Sequence, residues 1–158
     1  MAMQHSPLLM SRILDRGATV SPNIEIVTAT ENGVRRQTYS ETRDRAHQLA
    51  HALSQSGIGV GDRVGTFMWN GSQHLEAYHA VAGMGAVLHT LNVRLSDVDL
   101  EYIINHAEDR LIIVDADLLP SLEKLQDRMP SVERVVVATE DQSVSWSTSL
   151  PNAVDYED

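Results

Sequence analysis

The feature that most constrains this chain is the regular alternation of short apolar strands and amphipathic helices over residues 63–139. We predict strands at residues 63–69, 86–91, 111–115 and 134–139, and helices at residues 72–84, 97–107 and 118–128. Strands that are joined through helices by short connections form a parallel sheet with helices on both faces. The sequence therefore predicts a doubly wound α/β fold, a mostly parallel sheet flanked by helices.

Before this alternation, the chain carries signals for one more helix and a β-hairpin. Ser6-Pro7 is a favourable helix start, and Gly17 is predicted to end that helix. Two short strands, at residues 24–30 and 34–38, flank Asn32-Gly33, a pair that favours the tight turn of a hairpin. The N-terminal part is therefore predicted to be a helix followed by an antiparallel hairpin.

A third local pattern predicts a helix between the hairpin and the first strand of the sheet. Thr38 and Glu41 have the spacing of a capping box, and Gly57 is a favourable C-terminal stop. The glycines at 57, 59 and 61 invite comparison with a dinucleotide-binding loop. Such a loop follows a strand and opens a helix, whereas here the order is reversed. We interpret Gly57–Gly61 as a turn.

Composition excludes several classes of protein. The 158 residues contain no cysteine, so disulfides, thiolate metal sites and thiol nucleophiles are excluded. The net charge is −10, and residues 95–158 hold 15 acidic and 4 basic side chains. Nucleic acid is therefore not expected as a partner. Residues 77–93 carry no charged side chain but are too few and too polar for a transmembrane segment.

Two pairs of side chains have spacings that also occur in functional sites. His47 and His51 are four residues apart on one helix, which suits a shared metal, but two solvated histidines are the favoured interpretation. Glu76 and His79 could transfer a proton together, but mutual pairing on an otherwise apolar helix is favoured. We therefore predict no catalytic and no metal-binding residue in this chain.

Two further residues lie where predicted strands end. Asn70 is predicted to cap the helix that follows it, which is favoured over a glycosylation site. Asp115 ends a central strand, where the phosphoacceptor of a receiver domain would lie. The chain's only lysine, Lys124, is in mid-helix, so we favour a strand-end role for Asp115.

The residues carry a resemblance over about residues 8–139. The order and spacing of seven segments resemble the N-terminal part of AMP-forming acyl-CoA synthetases, and most of all the medium- and long-chain fatty-acid–CoA ligases. These segments are Thr38–Glu41, 57–64, 75–78, 83–90, 92–95, 102–109 and Val114-Asp115. One departure is Val93, where these ligases usually have proline.

The resemblance implies a parent enzyme that makes acyl-CoA in two steps. A fatty acid and ATP would give an acyl-adenylate and pyrophosphate, and CoA would then displace AMP. ATP, Mg²⁺ and CoA would be the parent's cofactors, and none is expected on these 158 residues. We expect a homodimer, because the predicted helix at residues 72–84 has few polar positions and would need cover from another layer. The resemblance agrees with this expectation, since members of the family often dimerise, and it also implies a cytoplasmic location and scope for peripheral association of the parent with membranes.

The resemblance further implies that this chain is scaffold, one subdomain of the parent's large N-terminal domain. The family's phosphate loop, its adenine and metal motif, and its C-terminal lysine have no counterpart here. We expect an N-terminal helical segment (1–20), the α/β subdomain (21–140) and the start of a connection to a missing remainder (141–158). The alternative is a stand-alone flavodoxin-like binding or dimerisation module. Residues predicted to line a crevice at the strand ends are Trp69, Asn70, His89, Asn92 and Arg94.

Overall fold

The computed structural model describes residues 9–30, 33–140 and 144–158 of the chain. Within them the helices are α1 (Ser11–Val20), α2 (Tyr39–Gln55), α3 (Ser72–Gly83), α4 (Asp97–Ala107) and α5 (Leu119–Glu123). The strands are β1 (Glu25–Thr30), β2 (Gly33–Thr38), β3 (Arg63–Phe67), β4 (Val87–Thr90), β5 (Leu111–Asp115), β6 (Arg134–Ala138) and β7 (Ala153–Asp155). Short 3₁₀ turns flank α5.

The central sheet has five parallel strands in the order β4-β3-β5-β6-β7. Counted along the chain from β3, this order is 2-1-3-4-5, one of the two common doubly wound arrangements. Strands β1 and β2 form a separate antiparallel hairpin. The predicted fold class is therefore confirmed.

Two apolar clusters cover the two faces of the sheet. Helices α1, α2 and α3 pack on one face around residues such as Leu53, Val64 and Ile113. Helices α4 and α5 pack on the other face around residues such as Leu100 and Ile112. Successive residues of β5 therefore enter opposite clusters, which explains why this strand is apolar without alternation.

The capping box and the glycine stop of α2 are both confirmed. The Thr38 hydroxyl accepts from the Glu41 backbone N–H, and the Glu41 carboxylate accepts from the Thr38 N–H. At the other end, Ile58 N–H donates to the Leu53 carbonyl at 3.0 Å, and Gly57 has a φ of +86°. This is the hydrogen-bond pattern in which a left-handed residue closes a helix.

The left-handed backbone at Gly57 leads to a prediction on stability. Gly57→Ala should lower the free energy of unfolding by about 1 kcal/mol or more, because a β-carbon disfavours that conformation. No atom lies within 4 Å of the added carbon, so backbone strain alone is tested. Gly59→Ala is the control, since its β-carbon would make only an ordinary contact with Asp62 at 3.7 Å. Urea denaturation measures both, and equal losses would contradict the assignment.

Three local predictions are corrected. Helix α1 continues through Gly17 to Val20, because Leu14 and Ala18 are buried and their packing offsets the cost of a glycine in a helix. The helix expected over 118–128 is broken into a five-residue helix between 3₁₀ turns, with Pro120 in the first turn of α5, where its missing N–H is tolerated.

Strand β7 was not predicted. Ser6-Pro7 and Asn32 lie outside the described residues.

Helix α3 lies beneath α1 and α2 and beside the hairpin. Even its polar residues Gln73, His74 and Glu76 are buried. We predicted a homodimer partly because this helix seemed to need cover from outside the chain. The chain itself supplies that cover, so this reason for predicting a dimer is removed, and dimerisation itself stays a prediction.

Candidate functional site

A cavity of about 500 Å³ lies where the strand order reverses, at the carboxyl ends of β3, β5 and β6. The chain leaves β3 toward β4 on one side and returns to β5 on the other. Open parallel sheets bind ligands at such switch points. The walls come from the hairpin and from the loops after these strands: Thr28, Ala29, Thr30, Trp69, Asn70, Gly71, Asp115, Ala116, Asp117, Ala138, Thr139, Glu140 and Val144.

Trp69 and Asp115 connect two of these strand ends directly. The Trp69 backbone N–H donates to Asp115 Oδ2 at 2.6 Å, and the indole Nε1–H donates to Asp117 Oδ2 at 2.9 Å. Trp69 nevertheless remains 47% exposed. These bonds fix the indole as one wall of the cavity while leaving part of its surface free.

Asp115 is 9% exposed, and its environment disfavours the charged form of its carboxyl. Burial raises its pKa to about 7, and the negative charges of Asp117 and Glu140 act in the same direction. The hydrogen bond from Trp69 N–H opposes this shift. Asp115 is therefore a strand-end carboxyl that exchanges its proton near neutral pH.

This raised pKa predicts a pH-dependent effect of removing the charge. A carboxyl with a higher pKa in the folded state binds protons more tightly than in the unfolded state, so its contribution to stability falls as pH rises from about 4 to 7. Asp115→Asn should therefore raise the free energy of unfolding at pH 8 by about 1–3 kcal/mol. The gain should vanish near pH 4, where the carboxyl is protonated in the folded state.

Urea denaturation between pH 4 and 8 measures this gain. The matched control is Asp127→Asn, which changes the net charge equally at an exposed position. A gain for Asp115→Asn that is independent of pH, or equal to that of the control, would contradict the assignment.

Glu140 joins the cavity to the N-terminus of α3. Its carboxylate accepts from the Gln73 backbone N–H at 3.0 Å and the Ser72 hydroxyl at 2.8 Å, and it pairs with Arg35 at 3.3 Å. A β-carbon on Gly71 would collide with this carboxylate. The predicted cap of α3, Asn70, is therefore wrong: the cap comes from Glu140, in the segment that follows β6.

The structure separates the five residues predicted to line a crevice. Trp69 and Asn70 line the cavity, whereas His89, Asn92 and Arg94 are not among its walls. The His89 ring nitrogen Nδ1 lies 2.8 and 3.0 Å from the two carboxylate oxygens of Asp109. Asn92 Oδ1 accepts from the Arg94 N–H at 3.0 Å within the turn after β4.

The pairing predicted for Glu76 and His79 is also wrong. Glu76 is fully buried and accepts from Gln37 and Arg45 through one oxygen and from Tyr156 through the other. Arg45 in turn forms two hydrogen bonds with Glu157, at 2.7 and 3.0 Å. Sequence spacing gave no signal for this network, because its members come from β2, α2, α3 and the C-terminal segment.

We tested whether the cavity fits the cofactors that the resemblance implies. Its walls carry Asp115, Asp117 and Glu140 but no lysine or arginine, so it does not fit a polyphosphate. His47 and His51 are both exposed. Among the described residues, no group of three or more histidine and carboxylate side chains is placed to hold a metal ion. We therefore assign no reaction step to the cavity.

The fold and the cavity define this chain as a doubly wound α/β domain with a cavity at its switch point. A family model for AMP-binding enzymes matches residues 14–158. The long-chain-fatty-acid–CoA ligase of Thermus thermophilus is 44% identical over 139 residues, covering 87% of this chain and 26% of the relative. The medium-chain-fatty-acid–CoA ligase of Ectopseudomonas oleovorans is 34% identical over 157 residues, covering 99% and 29%.

Solved structures agree with this comparison. The N-terminal domain of FACL13 from Mycobacterium tuberculosis superposes with a TM-score of 0.75 at 26% identity, covering 81% of this chain and 33% of that one. A long-chain-fatty-acid CoA ligase described as putative, from Rhodopseudomonas palustris, has a TM-score of 0.78 at 21% identity, covering 98% and 36%. The chain belongs to the AMP-binding enzyme family, and it spans about a quarter of the length of the curated relatives named here.

Within residues 9–30, 33–140 and 144–158, every helix is too short or too polar to cross a membrane.

Proposed function

We propose that this chain is the N-terminal scaffold of an ATP-dependent fatty-acid–CoA ligase. The observation that carries the proposal is the 44% identity to the Thermus ligase over 139 residues, together with the family match over residues 14–158. The parent would join a fatty acid to CoA through an acyl-adenylate, with release of pyrophosphate and AMP. ATP, Mg²⁺ and CoA would bind to parts of the parent enzyme other than this chain. The parent enzyme would be located in the cytoplasm.

The scaffold role is supported by what the buried polar groups do. Glu140 caps α3 and holds the hairpin, the Glu76 network fastens the C-terminal segment to α2 and α3, and Asp109 holds His89. Each of these carboxylates is occupied by groups of the fold itself. In this proposal, residues 21–140 form an α/β subdomain and residues 141–158 lead from it to the rest of the enzyme.

A chimera tests the proposal. The segment of the Thermus ligase that matches this chain would be replaced by the corresponding residues of this chain. We expect the chimera to form acyl-CoA from a long-chain fatty acid with an absolute need for ATP. The control is the same ligase without the segment, which should be inactive. A chimera that folds, by circular dichroism, but forms no acyl-CoA with any fatty acid would contradict the proposal.

A stand-alone flavodoxin-like binding module was the alternative, and the strand order 2-1-3-4-5 is compatible with it. The same order is compatible with the scaffold proposal, so it favours neither. The family match is the observation that leads us to prefer the ligase.

A further inference from the structure

We propose that the contact between α1 and α3 is a pH-sensitive joint, which holds α1 in place while His79 is neutral and releases it when that imidazole takes up a proton. Glu76, which was expected to pair with His79, is occupied by Gln37, Arg45 and Tyr156 instead. His79 is therefore left without the partner that its sequence spacing indicated. The joint goes beyond the scaffold function and does not depend on the ligase assignment.

His79 lines a small cavity between three helices. The cavity has a volume of about 80 Å³, and α1 closes one side of it with Ser11, Leu14 and Asp15. The two helices approach closely here, since a β-carbon added to Gly83 of α3 would lie 3.7 Å from the Ser11 β-carbon. Helix α1 therefore contributes directly to the burial of His79.

The surroundings of the His79 imidazole suit its neutral form. The ring nitrogen Nδ1 is buried and has no hydrogen-bond partner among the described residues. A protonated ring carries a donor on each nitrogen, so it would place an unpaired N–H and a positive charge in this site. Burial lowers the pKa of His79, and the Met10 backbone and the charge of Asp15 oppose this shift.

The other titratable groups that line the cavity are Asp15 from α1 and His47 from α2. The distance from His47 Nε2 to Asp15 Oδ1 is 3.8 Å, and both side chains are at least half exposed. Such a pair contributes little to the docking of a helix. The arginines of α1, Arg12 and Arg16, are exposed and are not among the walls, and α3 adds no charged side chain beside His79. Burial of His79 is therefore the main opposition to its protonation.

Helix α1 is held weakly enough for one proton to matter. Of its ten residues only Leu14 and Ala18 are buried, whereas Ile13 and Val20 are exposed. A helix that buries so little apolar surface belongs to the least stable part of a fold. A histidine whose pKa is lower in the docked than in the released state binds fewer protons when docked. Docking is therefore strongest above the ordinary histidine pKa of about 6.5 and weakens as the pH falls below it.

Hydrogen exchange followed by mass spectrometry measures the docking of α1 in the 158-residue chain. Protection of residues 11–20 would be compared at pH 7.5 and 5.5, after correction for the intrinsic exchange rates. Helix α4, on the opposite face of the sheet, is the internal reference for the pH dependence of the whole fold, including that of the buried His74. We expect protection of α1 to fall relative to α4 by up to about tenfold at pH 5.5. Tenfold is the limit for an imidazole of ordinary pKa that takes no proton while docked.

Matched variants assign the effect to His79. His79→Gln, which cannot take up a proton, should abolish the additional loss in α1, whereas His47→Gln, in the same cavity but exposed, should retain it. Circular dichroism checks that both variants fold. Titration of the His79 ring by NMR in the unsubstituted chain needs no variant, and we expect a pKa below the ordinary histidine value. An α1 that loses no more protection than α4, a loss that persists in His79→Gln, or a His79 ring that titrates at or above the ordinary value would overturn the proposal.

Discussion

Arg45→Met should be among the most destabilising single substitutions in this chain, with an expected loss of about 3–5 kcal/mol in the free energy of unfolding. Arg45 lies 2.7 Å from Glu76, whose side chain is fully buried, and its other side holds Glu157. Methionine keeps much of the volume but leaves the buried carboxylate without its positive partner. The remaining donors to Glu76, Gln37 and Tyr156, are neutral.

The matched control is Arg36→Met. Arg36 pairs with Glu25 at the same distance of 2.7 Å, but both side chains are about half exposed. We expect that substitution to cost less than about 1 kcal/mol. Adding Glu76→Gln to Arg45→Met should recover part of the loss, since a glutamine oxygen still accepts hydrogen bonds without carrying a charge. Urea denaturation of the unsubstituted chain, the two single variants and the double variant measures these values. Equal losses for Arg45→Met and Arg36→Met would show that the buried network stabilises the fold no more than an exposed ion pair does.

His89→Ala should have the second largest effect, a loss of about 2–4 kcal/mol near pH 8. Asp109 is fully buried, and His89 is the one hydrogen-bond partner of its carboxylate among the described side chains. Burial raises the pKa of Asp109, and the hydrogen bond from His89 opposes that shift. Removing the histidine should therefore raise this pKa further.

The sign of the pH dependence follows from this shift. When the pKa of a carboxyl is higher in the folded state than in the unfolded state, its ionised form destabilises the folded protein. This penalty shrinks as the pH falls from the folded-state pKa toward the unfolded-state pKa, because the carboxyl becomes protonated in the folded protein. The penalty in His89→Ala should therefore be largest near pH 8 and should shrink toward pH 5. His106→Ala is the control, because His106 is exposed and only stacks on Tyr102. A loss in His89→Ala that does not change with pH would contradict an uncompensated Asp109 carboxylate.

Local signals in the sequence predicted the regular elements well. The capping box of Thr38 and Glu41, the cap of α4 by Ser96 and the strands β3, β4, β5 and β6 all depend on residues within a few positions of one another. Periodicity and capping chemistry describe such short-range interactions directly. The doubly wound topology then followed from the order of the elements.

The candidate site could be predicted only in part, because its side chains meet across the fold. Trp69 and Asn70 were found from their position at a strand end. Glu140, which caps α3, lies 67 residues from Gln73, and no local pattern connects the two. Strand β7 has only three residues and follows Asn152, a non-glycine residue with a φ of +57°, so it was too short for an alternation to be visible.

We propose that this chain carries a scaffold of the ligase fold and none of its chemistry. Isothermal titration of the 158-residue chain with millimolar ATP and magnesium tests it most directly, with the full-length Thermus ligase as the positive control. We expect only heats of dilution for this chain, because the cavity at the switch point is lined by carboxylates and by no lysine or arginine. A saturable heat with one ATP bound per chain would contradict it.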